Sequence, residues 1–150
     1  LLPGELSAAF LLAQLEHSEV ITQRRLKIWQ RYYDAFARLE VSGVLRRPVV
    51  PKECRHNGHL FYALVESLEV RTRFIDFMNQ RGFGCVFHYV PLHESPKGLE
   101  CGRVHGGMTT TQMAGDCLVR FPLWLGVEAF QGEVIDATFE FFGLEGPEST

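Results

Sequence analysis

Two histidines and a tyrosine fall within six residues in His88-Tyr89-Val90-Pro91-Leu92-His93. Two imidazoles and a phenol supply donors and acceptors suited to the hydroxyls and phosphate of a polar ligand. The stretch lies where an extended segment ends, and functional groups collect at strand ends in α/β proteins. Strict alternation would send His88 and Tyr89 to opposite faces unless the strand stops there. Ligand contact therefore competes with a second reading, in which His88 is a satisfied structural histidine. The other candidates are weaker. His56 and His59 have a spacing that could ligate metal on a helix, but they flank Asn57-Gly58 in a loop with no matching Cys or carboxylate cluster. No metal site is expected. Gly102 to Gly107 neither follows a clear strand nor carries the lysine of a phosphate loop, and it reads as an ordinary mobile loop. Cys54, Cys85, Cys101 and Cys117 form no C-x-x-C pair and read as reduced thiols, mostly buried.

Elements must exist to hold that stretch. Pro3-Gly4-Glu5 sets up a helix start, and Leu6 to Leu15 is apolar nearly all round. A helix without a wet face is buried on more than one side. Its cover is either a second domain or subunit, or it is the central core helix of this domain alone. His17-Ser18 interrupts, and a second helix runs to about Glu40 with Ile28, Trp29, Tyr32 and Phe36 at helical spacing. Its arginines, Arg24, Arg25, Arg31 and Arg38, read as a solvated face. Ser42-Gly43 ends it, and Arg47-Pro48 to Pro51 is irregular or edge strand. Leu60 to Val65 predicts a buried strand, Val70 to Arg81 a helix capped by Gly82, and Gly84 to Val90 a second strand ending at Pro91. Pro96 to Gly107 reads as loop. Thr109 or Thr110 would cap a helix through about Leu118, Val119 to Leu123 would be extended, and Val127 to Phe142 is the last helix. Two long helices followed by strand-helix-strand-helix-strand-helix predict an α/β fold, a small sheet covered by helices.

At 150 residues and 46% hydrophobic, the chain has the length of one domain and ample material for its core. The order runs without a linker through residues 1–143, leaving 144–150 as a disordered tail. A net charge of −3 and a pI near 6.1 carry no basic excess, which speaks against nucleic acid. The longest apolar run, Ala8 to Ala13, is too short for a bilayer, and the opening lacks the basic region of a secretory signal. No membrane association is expected, and a cytoplasmic protein is. The opening Leu1-Leu2-Pro3, without a Met, reads as a piece of something longer.

Five stretches in unbroken order give the chain a family likeness. They are Leu2-Pro3-Gly4-Glu5-Leu6-Ser7-Ala8-Ala9 with Ala13 to Glu16, Arg24-Arg25 to Tyr33, His59-Leu60-Phe61-Tyr62, Phe87 to His93, and Arg120-Phe121-Pro122-Leu123. Together they resemble the C-terminal part of the DegT/DnrJ/StrS sugar aminotransferases. Leu-Pro-Gly-Glu resembles the dTDP-4-oxo-6-deoxy-D-glucose transaminase branch. The resemblance implies the C-terminal small domain of a fold-type-I transferase dependent on pyridoxal 5'-phosphate. It implies a homodimer in which the opening helices, residues 3–40, form the domain or dimer interface. The expected reaction moves an amino group, usually from glutamate, to a nucleotide-linked 4-keto-6-deoxy sugar for surface polysaccharide. His88 and Tyr89 would help position the sugar or its phosphates, with His93 a third candidate. No catalytic residue is expected here: Lys27, Lys52 and Lys97 are the chain's lysines, and none matches the family's Schiff-base position. The cofactor would belong to an N-terminal domain outside this chain, and the chain alone would bind none. The rival reading is a stand-alone small α/β ligand-binding or regulatory module.

Overall fold

Phe61, Ala63 and Val65 alternate with Tyr62 and Leu64, and the alternation turns the first three into the core and leaves the other two half-buried. A computed structural model describes residues 3–146. In it this segment, β2 (Phe61–Val65), is the centre of a three-stranded sheet in the order β1-β2-β3, with β1 at Leu45–Arg46 and β3 at Leu118–Phe121. Both pairings are antiparallel, with Leu45 opposite Val65 and Phe61 opposite Phe121. The helices are α1 (Glu5–Glu16), α2 (Ser18–Ala35), α3 (Ala37–Val41), α4 (Leu68–Gln80), α5 (Pro96–Cys101), α6 (Thr109–Cys117) and α7 (Gln131–Phe141). The mixed α/β architecture expected from the sequence is the one observed.

Aromatic side chains fill the space between sheet and helices. Tyr32 and Phe36 from the end of α2 meet Phe61 and Phe121 at ring separations of 5.0–5.8 Å, and Phe74 of α4 reaches Phe121 at 5.7 Å. Two polar groups are buried with them and are satisfied. Tyr32 Oη donates to the Pro122 carbonyl at 3.1 Å, and Gln131 Nε2 donates to the Ile28 carbonyl at 2.7 Å. Burial holds the Tyr32 phenol far above its ordinary range, so it stays a donor. Cys85 is pushed up to about 12 by the same cause, which makes it an inert core thiol. Cys117 is also buried, but Cys54 and Cys101 are exposed, so burial holds for half of the thiols rather than most.

Several expectations change. The strand predicted over Gly84 to Val90 is reduced to one bridge, Val86 opposite Arg120. On the side away from β3 the Cys85 N–H turns back to the Phe83 carbonyl at 2.7 Å and to Asn79 Oδ1 at 3.2 Å, and no ladder bond follows Val86 before Pro91, which has no N–H to give. The third strand is β1 instead, just ahead of the prolines. Within the predicted loop Pro96 to Gly107, α5 forms because Ser95 Oγ accepts from Gly98 N at 3.0 Å and Pro96 suits the first turn. Neither threonine caps α6; Met108 holds that position without a side-chain bond. The second helix breaks at Phe36 into α2 and α3, and the last begins as a 3₁₀ turn over Val127–Ala129. Gly43 and Gly82 end their helices at φ +75° and +83°, where a side chain would be strained. Leu144 packs on the core and its N–H donates to the Phe139 carbonyl at 3.1 Å. The remainder of the predicted tail, 147–150, lies outside the described residues.

The opening helix departs furthest from a core role. Leu6 is 81% exposed and Phe10 74%, and α1 has no buried residue. The reading as a central core helix of this domain therefore fails.

Removing the Phe121 ring should cost about 3–5 kcal/mol, because it leaves a cavity among four other rings. Urea unfolding of Phe121→Ala against the parent chain measures it. A second prediction concerns the turn from α3 to β1, where Arg47 donates to Glu40 through its backbone N–H (2.9 Å) and its Nε (2.8 Å). Burial alone would raise the Glu40 carboxyl, but these bonds and the guanidinium charge overcome it and hold the pKa below its usual value. A depressed carboxyl contributes stability above its unfolded pKa, and loses it as pH falls through the folded one. Glu40→Gln should therefore melt below the parent at neutral pH, and the two melting curves should converge in acid.

Candidate functional site

Chain geometry around Val86 decides where the predicted site residues go. The Val86 N–H donates to the Arg120 carbonyl at 3.2 Å, and the Arg120 N–H donates to the Val86 carbonyl at 2.7 Å. Across the sheet Arg120 stands opposite Tyr62. Paired residues share a face, so Tyr62, Arg120 and Val86 line the side of the sheet away from the core. The chain then leaves the sheet, and Phe87 crosses over the Arg71 guanidinium at 4.9 Å.

His88 follows, half-buried, with Tyr89 65% exposed beside it. Their rings meet edge to face at 3.8 Å, across a cis peptide bond. Because the strand has already ended, alternation does not separate them. Desolvation, the Arg120 charge and the His59 charge together hold the His88 pKa below the usual histidine value. At neutral pH the ring is therefore uncharged and offers one N–H and one acceptor. Pro91 then packs against Gly115, where an added Cβ would come within 2.9 Å of the proline ring.

His93 sits apart, in the 3₁₀ turn Leu92–Glu94. Its side chain is 14% exposed, and Nε2, 3.6 Å from Glu94 Oε1, makes no hydrogen bond among the described residues. It lines a cleft of about 970 Å³ that also holds Leu99, Lys97, Arg103 and His105, but neither His88 nor Tyr89. The structure thus brings two of the three candidates together and places the third in a neighbouring cleft. The Gly102 to Gly107 segment forms part of that cleft's wall.

Other groups have structural duties. His56 packs on Trp29 at 4.4 Å, and its Nδ1 accepts from the Gly58 N–H at 3.3 Å. Arg25, expected on a solvated face, is half-buried and clamps the Gly58 carbonyl (3.0 Å) and that of His59. Arg24 pairs with Glu128 at 2.7 Å. Among the described residues no three His, Cys, Asp or Glu side chains converge as metal ligands. Lys27 and Lys52 are exposed, and Lys97 is paired with Glu100 at 2.7 Å on the surface. Arg120, Arg71 and Tyr62 received no role from sequence. A charged residue between the apolar Val119 and Phe121 was the available signal for Arg120.

Residues 4–137 match the DegT/DnrJ/EryC1/StrS aminotransferase family. Among solved structures, S. venezuelae DesV in complex with a ketimine intermediate is similar at a TM-score of 0.77 and 25% identity, over 89% of this chain and 35% of that one. Helicobacter pylori PseC, an aminotransferase involved in the biosynthesis of pseudoaminic acid, shares the fold at a TM-score of 0.72 and 15% identity, over 88% and 35%. The uncharacterized protein MJ1066 of Methanocaldococcus jannaschii is 30% identical over 95 residues, 61% of this chain and 24% of that protein. The chain thus spans about a quarter of that relative's length and about a third of those structures. With the match running through nearly every element described above, the chain belongs to the DegT/DnrJ/EryC1/StrS aminotransferase family.

Proposed function

We propose that this chain is the C-terminal small domain of a pyridoxal-phosphate-dependent aminotransferase. The whole enzyme moves an amino group, from glutamate, to a nucleotide-linked 4-keto-6-deoxy sugar such as dTDP-4-oxo-6-deoxy-D-glucose, for surface polysaccharide. One observation carries the reading. Inside a stretch matched by an aminotransferase family, half-buried His88 and exposed Tyr89 stand side by side where the chain leaves the sheet. The cofactor supplies the electron sink of transamination and is held by the larger part of the enzyme. This domain supplies a wall of the site, and by itself it neither holds cofactor nor turns over.

The work of the domain is then positioning. A neutral His88 can donate to a sugar or phosphate oxygen through one nitrogen and accept a hydroxyl proton at the other. Tyr89 adds a second donor beside it, and His93 reaches the ligand's edge from the cleft. The exposed apolar helix α1 supports a homodimeric enzyme in which residues 3–40 form the domain and subunit interface. It also favours that reading over a stand-alone module, which would have to keep Leu6, Phe10 and Leu12 in water.

Two experiments test the proposal. In the full-length enzyme, His88→Ala should lower kcat/KM for the sugar nucleotide about ten- to hundred-fold, the loss of one hydrogen bond to a strongly polar group. The half-reaction with the amino donor should be largely unchanged in stopped flow, and Tyr89→Phe should cost less because only its hydroxyl is removed. Equal slowing of both half-reactions, or of neither, makes His88 structural. The chain alone should associate in a concentration-dependent way by sedimentation velocity, and Phe10→Glu should weaken that association. A monomer at high concentration with α1 protected from hydrogen exchange would defeat the interface argument.

A further inference from the structure

Arg25, Arg47, Arg71 and Arg120 are the half-buried arginines of the described residues. The first three are spoken for: Arg25 by two carbonyls, Arg47 by Glu40 and the Tyr33 carbonyl, Arg71 by the Gly115 carbonyl. The Nε of Arg71 and that of Arg120 are both sealed from solvent with no acceptor in reach, but Arg71 is anchored through its other nitrogens. Arg120 is different: its side chain makes no hydrogen bond and no ion pair at all among the described residues. A sheltered guanidinium without an acceptor is costly, and natural structures tolerate such groups where a ligand or water completes them.

Its neighbours share its sign and its preference. The bridge to Val86 holds the chain entering His88 against Arg120, and Tyr62 stands opposite on the same outward face. His59 leads into β2 at the same end, and its charge, like that of Arg120, is felt by His88. No charged carboxylate is among the groups acting on His88. We infer that Arg120, flanked by His88 and Tyr62 and rimmed by His59, forms a subsite for an oxyanion on the open face of the sheet. The planar fork of arginine suits a carboxylate or a phosphate, and the imidazoles and phenol add single donors around it. The inference deepens the proposed site, and rests on that reading only in taking the face of His88 as the side that substrate approaches. An amino donor's carboxylate and a nucleotide's phosphate share this chemistry.

The test reads binding without turnover, so its failure and that of the half-reaction test are independent. The 150-residue chain is titrated with inorganic pyrophosphate and, separately, with glutarate, following the histidine ring carbons by NMR. Either anion bound beside His88 should raise its pKa, and the tighter of the two identifies the source as phosphate or carboxylate. Arg120→Gln should weaken binding about tenfold or more, and in the free protein should let the His88 pKa rise as a like charge is lost. Should that variant not fold, Arg120→Lys keeps the charge but not the fork, so it should leave free His88 depressed and still bind more weakly. The inference is overturned if neither anion moves His88, if wild type and the Arg120 variants respond alike, or if only His93 responds.

Discussion

Phe61 lies directly across from Phe121 in the antiparallel ladder of β2 and β3, and both rings are buried in the aromatic cluster with Tyr32 and Phe36. Side chains alternate along a strand, so fixing this one pair inward fixes Tyr62 and Arg120 outward. A slip of β3 by one residue would put the Arg120 guanidinium into the aromatic core and turn Val119 and Phe121 toward water. The register is therefore enforced by energies much larger than any hydrogen bond on the outer face. Stability and site are coupled through the pleat: the same alternation that buries the core presents the polar groups.

The outer face is held in place by polar clamps of a second kind. Arg25 fixes the Gly58 and His59 carbonyls from α2, and Gly58, at φ +60°, lies so close to the Arg25 backbone that a Cβ would come within 2.9 Å. Arg71 holds the Gly115 carbonyl and carries Phe87 on its face. Between these clamps the chain around His88 needs no ladder to keep its place. The backbone is anchored there by one bridge and by side chains, so the successive rings of His88 and Tyr89 need not point to opposite sides.

Legibility in the sequence followed the strength of the local pattern. Leu60 to Val65 is an unbroken apolar run, and β2 lies within it; Val70 to Arg81 has helical spacing and a glycine cap, and α4 agrees to within about two residues. The segment Gly84 to Val90 also reads as apolar but forms only a bridge, because the chain turns tightly at Phe83-Gly84-Cys85 before it and leaves the sheet after it, which no periodicity encodes. For α5 the signal was present in Ser95-Pro96, but the glycines around it outweighed the cap. The motif from His88 to His93 lies just past the bridge at Val86, where pairing to the sheet ends as its strand-end reading expected. It could not reveal that a 3₁₀ turn carries His93 into another cleft, nor that Arg120, distant in sequence, would lie beside His88.

Helix α1 and Arg120 are two faces of one physical problem. Each breaks the rule that burial and satisfaction go together: α1 leaves large apolar side chains in water, and Arg120 withdraws a charged donor from water without an acceptor. In the core the rule holds, down to Gln131 and Tyr32, whose buried donors both find carbonyls, while Arg71 Nε and His93 Nε2 share the condition of Arg120 Nε nearer the surface. A chain able to satisfy those groups has the means to satisfy the others, with a polar α1 or a leucine in place of Arg120. Helix α1 and Arg120 both lie on the surface of the fold and neither in its core, which is where a complement from outside could reach them: an apolar surface would suit the helix, an anion the arginine.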